Sequence, residues 1–136
     1  MGRGWTNQPM SDLEIKVTRY HCSGNDVACI SLKGILDSLA RGKLEQTARG
    51  LLGENIVHYI VDLSDVTSVG STGIGFLIKL AAQIQGRSGG LVVIGANERL
   101  KSAADLLGLW TYISLADNLE HALKLVLSEF HLRNDN

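Results

Sequence analysis

Apolar and polar residues alternate in the first patterned segments of the chain. LEIKVTRY, Leu13 to Tyr20, is apolar at every second position through Val17, which is the period of a half-buried strand. The turn residues HCSGND follow, and DVACISLKG, Asp26 to Gly34, predicts a second strand. Two strands separated by so short a turn predict an antiparallel hairpin.

A helical period replaces this alternation after the hairpin. Asp37 or Ser38 is placed to cap a helix that runs to about Leu52. Gly42 and Gly50 lower its intrinsic propensity, so the helix depends on tertiary packing. Its predicted inward positions are Leu39, Leu44, Ala48, Leu51 and Leu52.

Strands and helices alternate through the rest of the chain. NIVHYIVDL, residues 55–63, is apolar on both faces, as is typical of a central parallel strand. A helix over residues 72–85, the strand LVVIGA and a helix in NERLKSAADLLGL follow, with Asn97 as cap and Gly108 as stop. TYISL predicts a short strand. Asp117 or Asn118 caps a last helix, whose apolar stripe is Leu119, Ala122, Leu123, Val126, Leu127 and Phe130.

The predicted element order is therefore ββαβαβαβα. This order predicts an α/β fold with a mixed, mainly parallel sheet of about five strands and about four α-helices. The first strand adds an antiparallel edge. We expect a disordered leader over residues 1–11, a single domain over 12–131 and a flexible tail over 132–136.

The composition of the chain argues against several classes of function. The chain is 45% apolar and 20% charged with a net charge of −1, so it has no general attraction to nucleic acid. Its apolar runs are far shorter than the roughly 18 residues that span a bilayer. Cys22 and Cys29 are too few for an oxidised scaffold, and a cytoplasmic protein is the simplest interpretation.

The segment VTSVGSTGIGFL, Val66 to Leu77, concentrates glycine, serine and threonine where the central strand meets its helix. It lacks the GxSxG order of a hydrolase elbow, the GxGxxG order of a dinucleotide loop and the GK[ST] of a P-loop. Close packing of the backbone alone would also explain the glycines of this segment, without any ligand. Ser71 falls where a helix cap belongs, and a phosphate there gains from the helix dipole. It would place close to two negative charges on the surface.

The helix after Ser71 is apolar over more of its circumference than one sheet covers. One stripe contains Ile74, Leu77, Ile78 and Ala81, and a second contains Phe76, Leu80 and Ile84. Neighbouring helices are expected to bury most of this surface. At the first turn, around Ile74 and Leu77, we expect a partner protein instead.

The remaining residues do not indicate a catalytic site or a metal site. The four histidines are far apart and have no ligand spacing, and His58 in an apolar strand is expected to be structural. No nucleophile has an evident base. The prediction is a protein that is not an enzyme and holds no metal or cofactor.

Three segments of the chain resemble the STAS domain of bacterial anti-sigma factor antagonists: LKGILD, DLSDVTSVGSTGIGFL and ERLKSAADLLGLWTYISLADNLEHAL. The resemblance covers about residues 13–127. It implies the STAS fold and a partner-switching mechanism. The unphosphorylated protein binds an anti-sigma factor that is also a serine kinase of the histidine-kinase-like ATPase class. Phosphorylation ends the complex, and a PP2C-type phosphatase resets it.

The resemblance also assigns residues. The phosphoacceptor corresponds to Ser71, with Thr72 as the alternative, and Asp37 corresponds to the loop acid of the same surface. Together with the apolar first turn described above, this gives the predicted partner-binding set Asp37, Gly70, Ser71, Thr72, Gly73, Ile74 and Leu77. Gly70 departs from the family, which usually has aspartate before the acceptor. This departure favours an alternative, a STAS module of a transporter ATPase complex or signalling scaffold that works without phosphorylation.

Overall fold

The chain folds as a sheet with helices on both faces. The structure, a computed structural model, describes residues 5–6, 13–22, 24–69, 71–87, 89–108 and 113–134. Its elements are β1 (Trp5–Thr6), β2 (Leu13–Cys22), β3 (Asn25–Leu36), α1 (Ser38–Gly53), β4 (His58–Val69), α2 (Ser71–Gln85), β5 (Gly90–Ile94), α3 (Glu98–Leu107), β6 (Ser114–Ala116) and α4 (Leu119–Asn134).

The strands lie in the sheet in their order along the chain, from β1 to β6. β1, β2 and β3 are antiparallel, whereas β3, β4, β5 and β6 are parallel. The predicted hairpin, the mainly parallel sheet and the order ββαβαβαβα are confirmed, and β1 adds a sixth, two-residue strand. The helices of the three crossovers, α1, α2 and α3, all pack into one cluster on the same face of the sheet, as the usual right-handed crossover predicts.

Two separate clusters of buried side chains form the core. The larger one fills the face beneath α1, α2 and α3, where Leu44, Phe76 and Leu100 meet the sheet. The smaller one contains Val27, Cys29, Ile60, Val92 and Ile94 of the sheet and Ala122 and Val126 of α4. β4 is buried from both sides because it carries residues of both clusters, which confirms the predicted central strand.

The caps of α3 and α4 lie at residues that the sequence predicted for them. Asn97 Oδ1 accepts the backbone N–H of Leu100 at 2.8 Å, and Asn118 Oδ1 accepts that of His121 at 2.9 Å. Gly108 ends α3 in the left-handed region with φ 67°. Each of these residues satisfies a backbone group that the helix itself leaves unpaired.

The structure corrects the predicted boundaries at both termini. Trp5 and Thr6, within the expected disordered leader, pair with Lys16 and Ile15 as an edge strand. Residues 1–4 and 7–12 of that leader lie outside the described residues. α4 continues to Asn134, so residues 132–134 of the expected flexible tail are helical, because the helical hydrogen bonding does not end with the apolar stripe.

The strand ends also differ from the predicted ones. β4 covers His58–Val69 and not residues 55–63, because it continues to pair with β3 after its pairing with β5 has ended. β5 stops at Ile94 because Gly95 has φ 76° and turns the chain away. β6 begins at Ser114, whereas the first residues of its predicted range, Thr111 and Tyr112, lie outside the described part. Within the described ranges, every helix falls short of the length and apolarity needed to cross a membrane.

Candidate functional site

Strand β4 extends well beyond its neighbour β5, and β3 continues beside it. β4 has 12 residues, but its register with β5 covers only His58 to Asp62 in the described chain. From Asp65 to Val69, β4 pairs with β3, ending with Leu36 opposite Val69. β2 accompanies β3 as far as Gly34, so only Ile35 and Leu36 of β3 and Ser68 and Val69 of β4 project together as a short two-stranded ribbon. The tip of this ribbon positions the predicted site.

Irregular backbone shapes this ribbon. The register between β3 and β4 shifts between Ser31 and Lys33 and again between Gly34 and Ile35. Gly34, the glycine of LKGILD, has φ 115°, a conformation that side chains with a Cβ rarely adopt. Thr67 Oγ1 donates to the Gly34 carbonyl at 3.2 Å. Such bulges increase twist and redirect a strand end, as they often do near binding sites.

The ribbon brings Asp37 and Ser71 to the same edge of the sheet. Each follows the end of one of two neighbouring parallel strands, and each stands at the start of a helix. Asp37 is confirmed as the cap of α1, because its Oδ1 accepts the Ala40 N–H at 3.1 Å. Its carboxylate therefore has a structural role as well as a position at the same edge of the sheet as the serine.

Ser71 is exposed and is the first residue of α2. It thus lies within the helix and not at the cap position before it, which corrects the predicted capping role. The residue before Ser71 in the sequence is Gly70, which lies outside the described residues. Thr72 is half-buried and Gly73 is buried, so the hydroxyl of Ser71 is the more accessible acceptor.

One of the two apolar residues predicted for the partner surface is buried in the core. Leu77 is only 1% exposed and belongs to the same core cluster as Leu100 and Ala104 of α3. The expectation that Leu77 contacts a partner is therefore wrong, because α3 covers it. Ile74 is half-buried, whereas Ile78 is 39% exposed. We define the Ser71 surface as Asp37, Ser71, Ile74 and Ile78.

A charged cluster between α1 and α2 was not predicted. Arg41 Nε donates to Glu45 Oε2 at 2.9 Å, and Lys79 Nζ lies 3.5 Å from the same oxygen. The hydrogen bond from Arg41 is the main reason that the pKa of Glu45 is below its usual range, and Lys79 adds to it. The spacing of four between Arg41 and Glu45 is a sequence signal for this pair. Nothing local indicates the contact across helices.

His58 is buried at 2% exposure on β4. It is two residues from Ile60 and so lies on the face that α4 covers. In the ranges described above, no three His, Cys, Asp or Glu side chains are grouped as metal ligands. The chemistry available at the projecting ribbon is thus that of an exposed hydroxyl, a carboxylate and apolar side chains.

Comparisons with known proteins agree with this geometry. A family model described as "Mlab, STAS domain" matches residues 23–123. An anti-sigma factor antagonist from Mycobacterium paratuberculosis is 25% identical, with a TM-score of 0.63 over 89% of this chain and 98% of that one. The Bacillus cell fate determinant SpoIIAA in its phosphorylated form is 15% identical, with a TM-score of 0.66 over 82% and 98%. RsbS of Moorella thermoacetica is 17% identical, with a TM-score of 0.66 over 82% and 95%.

Proposed function

We propose, since the chain belongs to the STAS-domain family, that it is an anti-sigma factor antagonist controlled at Ser71. Unphosphorylated, it binds an anti-sigma factor of the histidine-kinase-like ATPase class through the Ser71 surface, in the cytoplasm. Binding frees the sigma factor. The observation that carries this proposal is an exposed hydroxyl at the start of α2, two helical turns before the 39% exposed Ile78. The protein itself is the regulated partner and not an enzyme.

The regulatory step is a phosphoryl transfer performed by the anti-sigma factor. Ser71 Oγ attacks the γ-phosphorus of ATP, a new O–P bond forms, the β–γ phosphoanhydride bond breaks, and ADP leaves. The serine hydroxyl passes its proton to a basic group of the kinase or to water in this step. A PP2C-type phosphatase reverses the modification with water and releases inorganic phosphate.

A phosphate is compatible with the fold at this position. Ser71 is exposed, so the added group displaces no core side chain. The first turn of a helix favours negative charge, typically by about 0.3–1 kcal/mol. The modification is therefore expected to act on the partner and not on stability. The similar SpoIIAA has been solved in a phosphorylated form, which supports the same behaviour here.

Phosphate mapping tests this proposal. The chain first captures its kinase from native cells and is then incubated with this kinase and ATP. Mass spectrometry identifies the modified residue. We expect phosphate on Ser71, with Thr72 as the alternative, and none on the Ser71→Ala protein if Ser71 is the acceptor. A fully active kinase that leaves both residues unmodified would reject the proposal.

The Asp37 carboxylate is expected to contribute both to α1 stability and to partner binding. Asp37→Ala removes the cap acceptor for Ala40 and is expected to lower the free energy of unfolding by about 1 kcal/mol. Asp37→Asn keeps an acceptor and is expected to leave stability nearly unchanged, yet to weaken partner binding by removing the charge. Urea titration and calorimetry measure the two effects. Full affinity in the Asn variant would show that Asp37 is only a cap.

A second candidate is a STAS interaction module of a transporter ATPase complex or signalling scaffold. Gly70 favours it, because the resemblance leads one to expect an aspartate before the acceptor serine. Capture of partners from native cells separates the two functions. An ATPase with transporter motifs among the bound proteins would support this candidate, and an anti-sigma kinase would support the first.

A further inference from the structure

Arg41 lies between its acidic neighbour on α1 and the backbone of α2. Its Nε donates to Glu45 at 2.9 Å, which leaves the N–H groups of the two terminal guanidinium nitrogens for other acceptors. A Cβ built on Gly75 would lie 3.6 Å from Nη1 and 4.0 Å from Nη2 of Arg41. The guanidinium therefore rests on α2 at Gly75, a position that has no side chain to hold it off.

Gly75 is one helical turn after Ser71. Residues four apart lie on the same helix face, separated by about 6 Å along the axis. Lys79 is four residues further on, about 12 Å from Ser71 along α2. Arg41 is thus the nearer of the two cations that contact Glu45, and its side chain is 41% exposed and has room to turn.

We propose that Arg41 receives the phosphate of phosphorylated Ser71, and so joins α1 to α2 in the modified protein. This inference rests on the proposed function, which makes Ser71 the acceptor. A guanidinium forms paired hydrogen bonds with phosphate oxygens. A dianionic phosphate carries two charges and Glu45 carries one, so the phosphate competes well for Arg41. Glu45 then keeps Lys79 as its neighbour. The side chain of Arg41 then takes a different position in the modified protein, on the surface that the partner contacts.

The test places phosphoserine at position 71 during translation, so that no kinase is needed. The second ionisation of the phosphate, ordinarily near pH 6, is followed by ³¹P NMR. In the otherwise unchanged chain its pKa is expected to be about 0.5 lower than in the Arg41→Gln variant, because a nearby cation favours the dianion. Lys79→Gln is the matched control and is expected to shift the pKa much less.

Equal titration curves in the unchanged chain and the Arg41→Gln variant would overturn the role of Arg41. An equal or larger effect of Lys79→Gln would also overturn it. Arg41→Lys is expected to restore part of the shift. Circular dichroism melts confirm that each variant is folded. Because the phosphate is built in, a failure of kinase labelling at both Ser71 and Thr72 would reject the proposed function without affecting this result.

Discussion

Phosphorylation of Ser71 is expected to weaken binding of the anti-sigma factor by about 100-fold, or about 2.8 kcal/mol. A phosphate adds close to two negative charges where the partner must approach. Charges that an interface does not pair cost several kcal/mol. Ser71→Asp carries one charge and is expected to lose about tenfold, whereas Ser71→Ala retains binding within about threefold. Calorimetric titration measures all four proteins.

The stability of the same proteins separates a surface effect from unfolding. Ser71 is exposed, so the melting temperature of the phosphorylated protein is expected to stay the same or rise slightly. Equal affinities for the modified and unmodified chains would refute the charge argument. A large drop in melting temperature would show that the phosphate acts by disrupting α2.

Gly89→Ala is expected to lower the free energy of unfolding by about 3 kcal/mol or more. A Cβ at Gly89 would overlap the Val57 carbonyl oxygen and would lie 2.8 Å from Ile84 Cγ2. That carbonyl also accepts the Gly90 N–H at 3.2 Å, so it is fixed where β4 and β5 begin to pair. Relief of the overlap requires the backbone to move. Urea denaturation measures the effect.

Gly50→Ala is the matched control for this substitution. Gly50 lies inside α1, and a Cβ there would meet nothing within 4 Å. The same chemical change is therefore expected to raise the free energy of unfolding by about 0.5–1 kcal/mol through helix propensity. A Gly89→Ala protein as stable as the unchanged chain would show that the β4–β5 junction is not rigid.

Much of the fold was predictable because local patterns and packing agree. The two-faced apolar strand around Ile60 indicates a central position, and the caps Asn97 and Asn118 satisfy backbone groups within their own helices. These signals need only neighbouring residues. The exposed position of Ser71 followed in the same way, from a strand end that leads into a helix.

The rest depends on contacts between distant segments. Leu77 has the same helical pattern as a partner-facing residue, and only the packing of α3 shows that it is in the core and that Ile78 is the exposed one. The ribbon formed by β3 and β4 depends on where β5 turns away at Gly95. The approach of Arg41 to Gly75 joins residues of two helices, which no local period encodes.

The most direct test of the account is release of the sigma factor. The unphosphorylated chain, added to a purified complex of sigma factor and anti-sigma kinase without ATP, is expected to displace the sigma factor. The chain that carries phosphoserine at position 71 is expected to leave that complex intact at the same concentration. Equal release by the two forms, or no release by either, would contradict control of partner binding at Ser71.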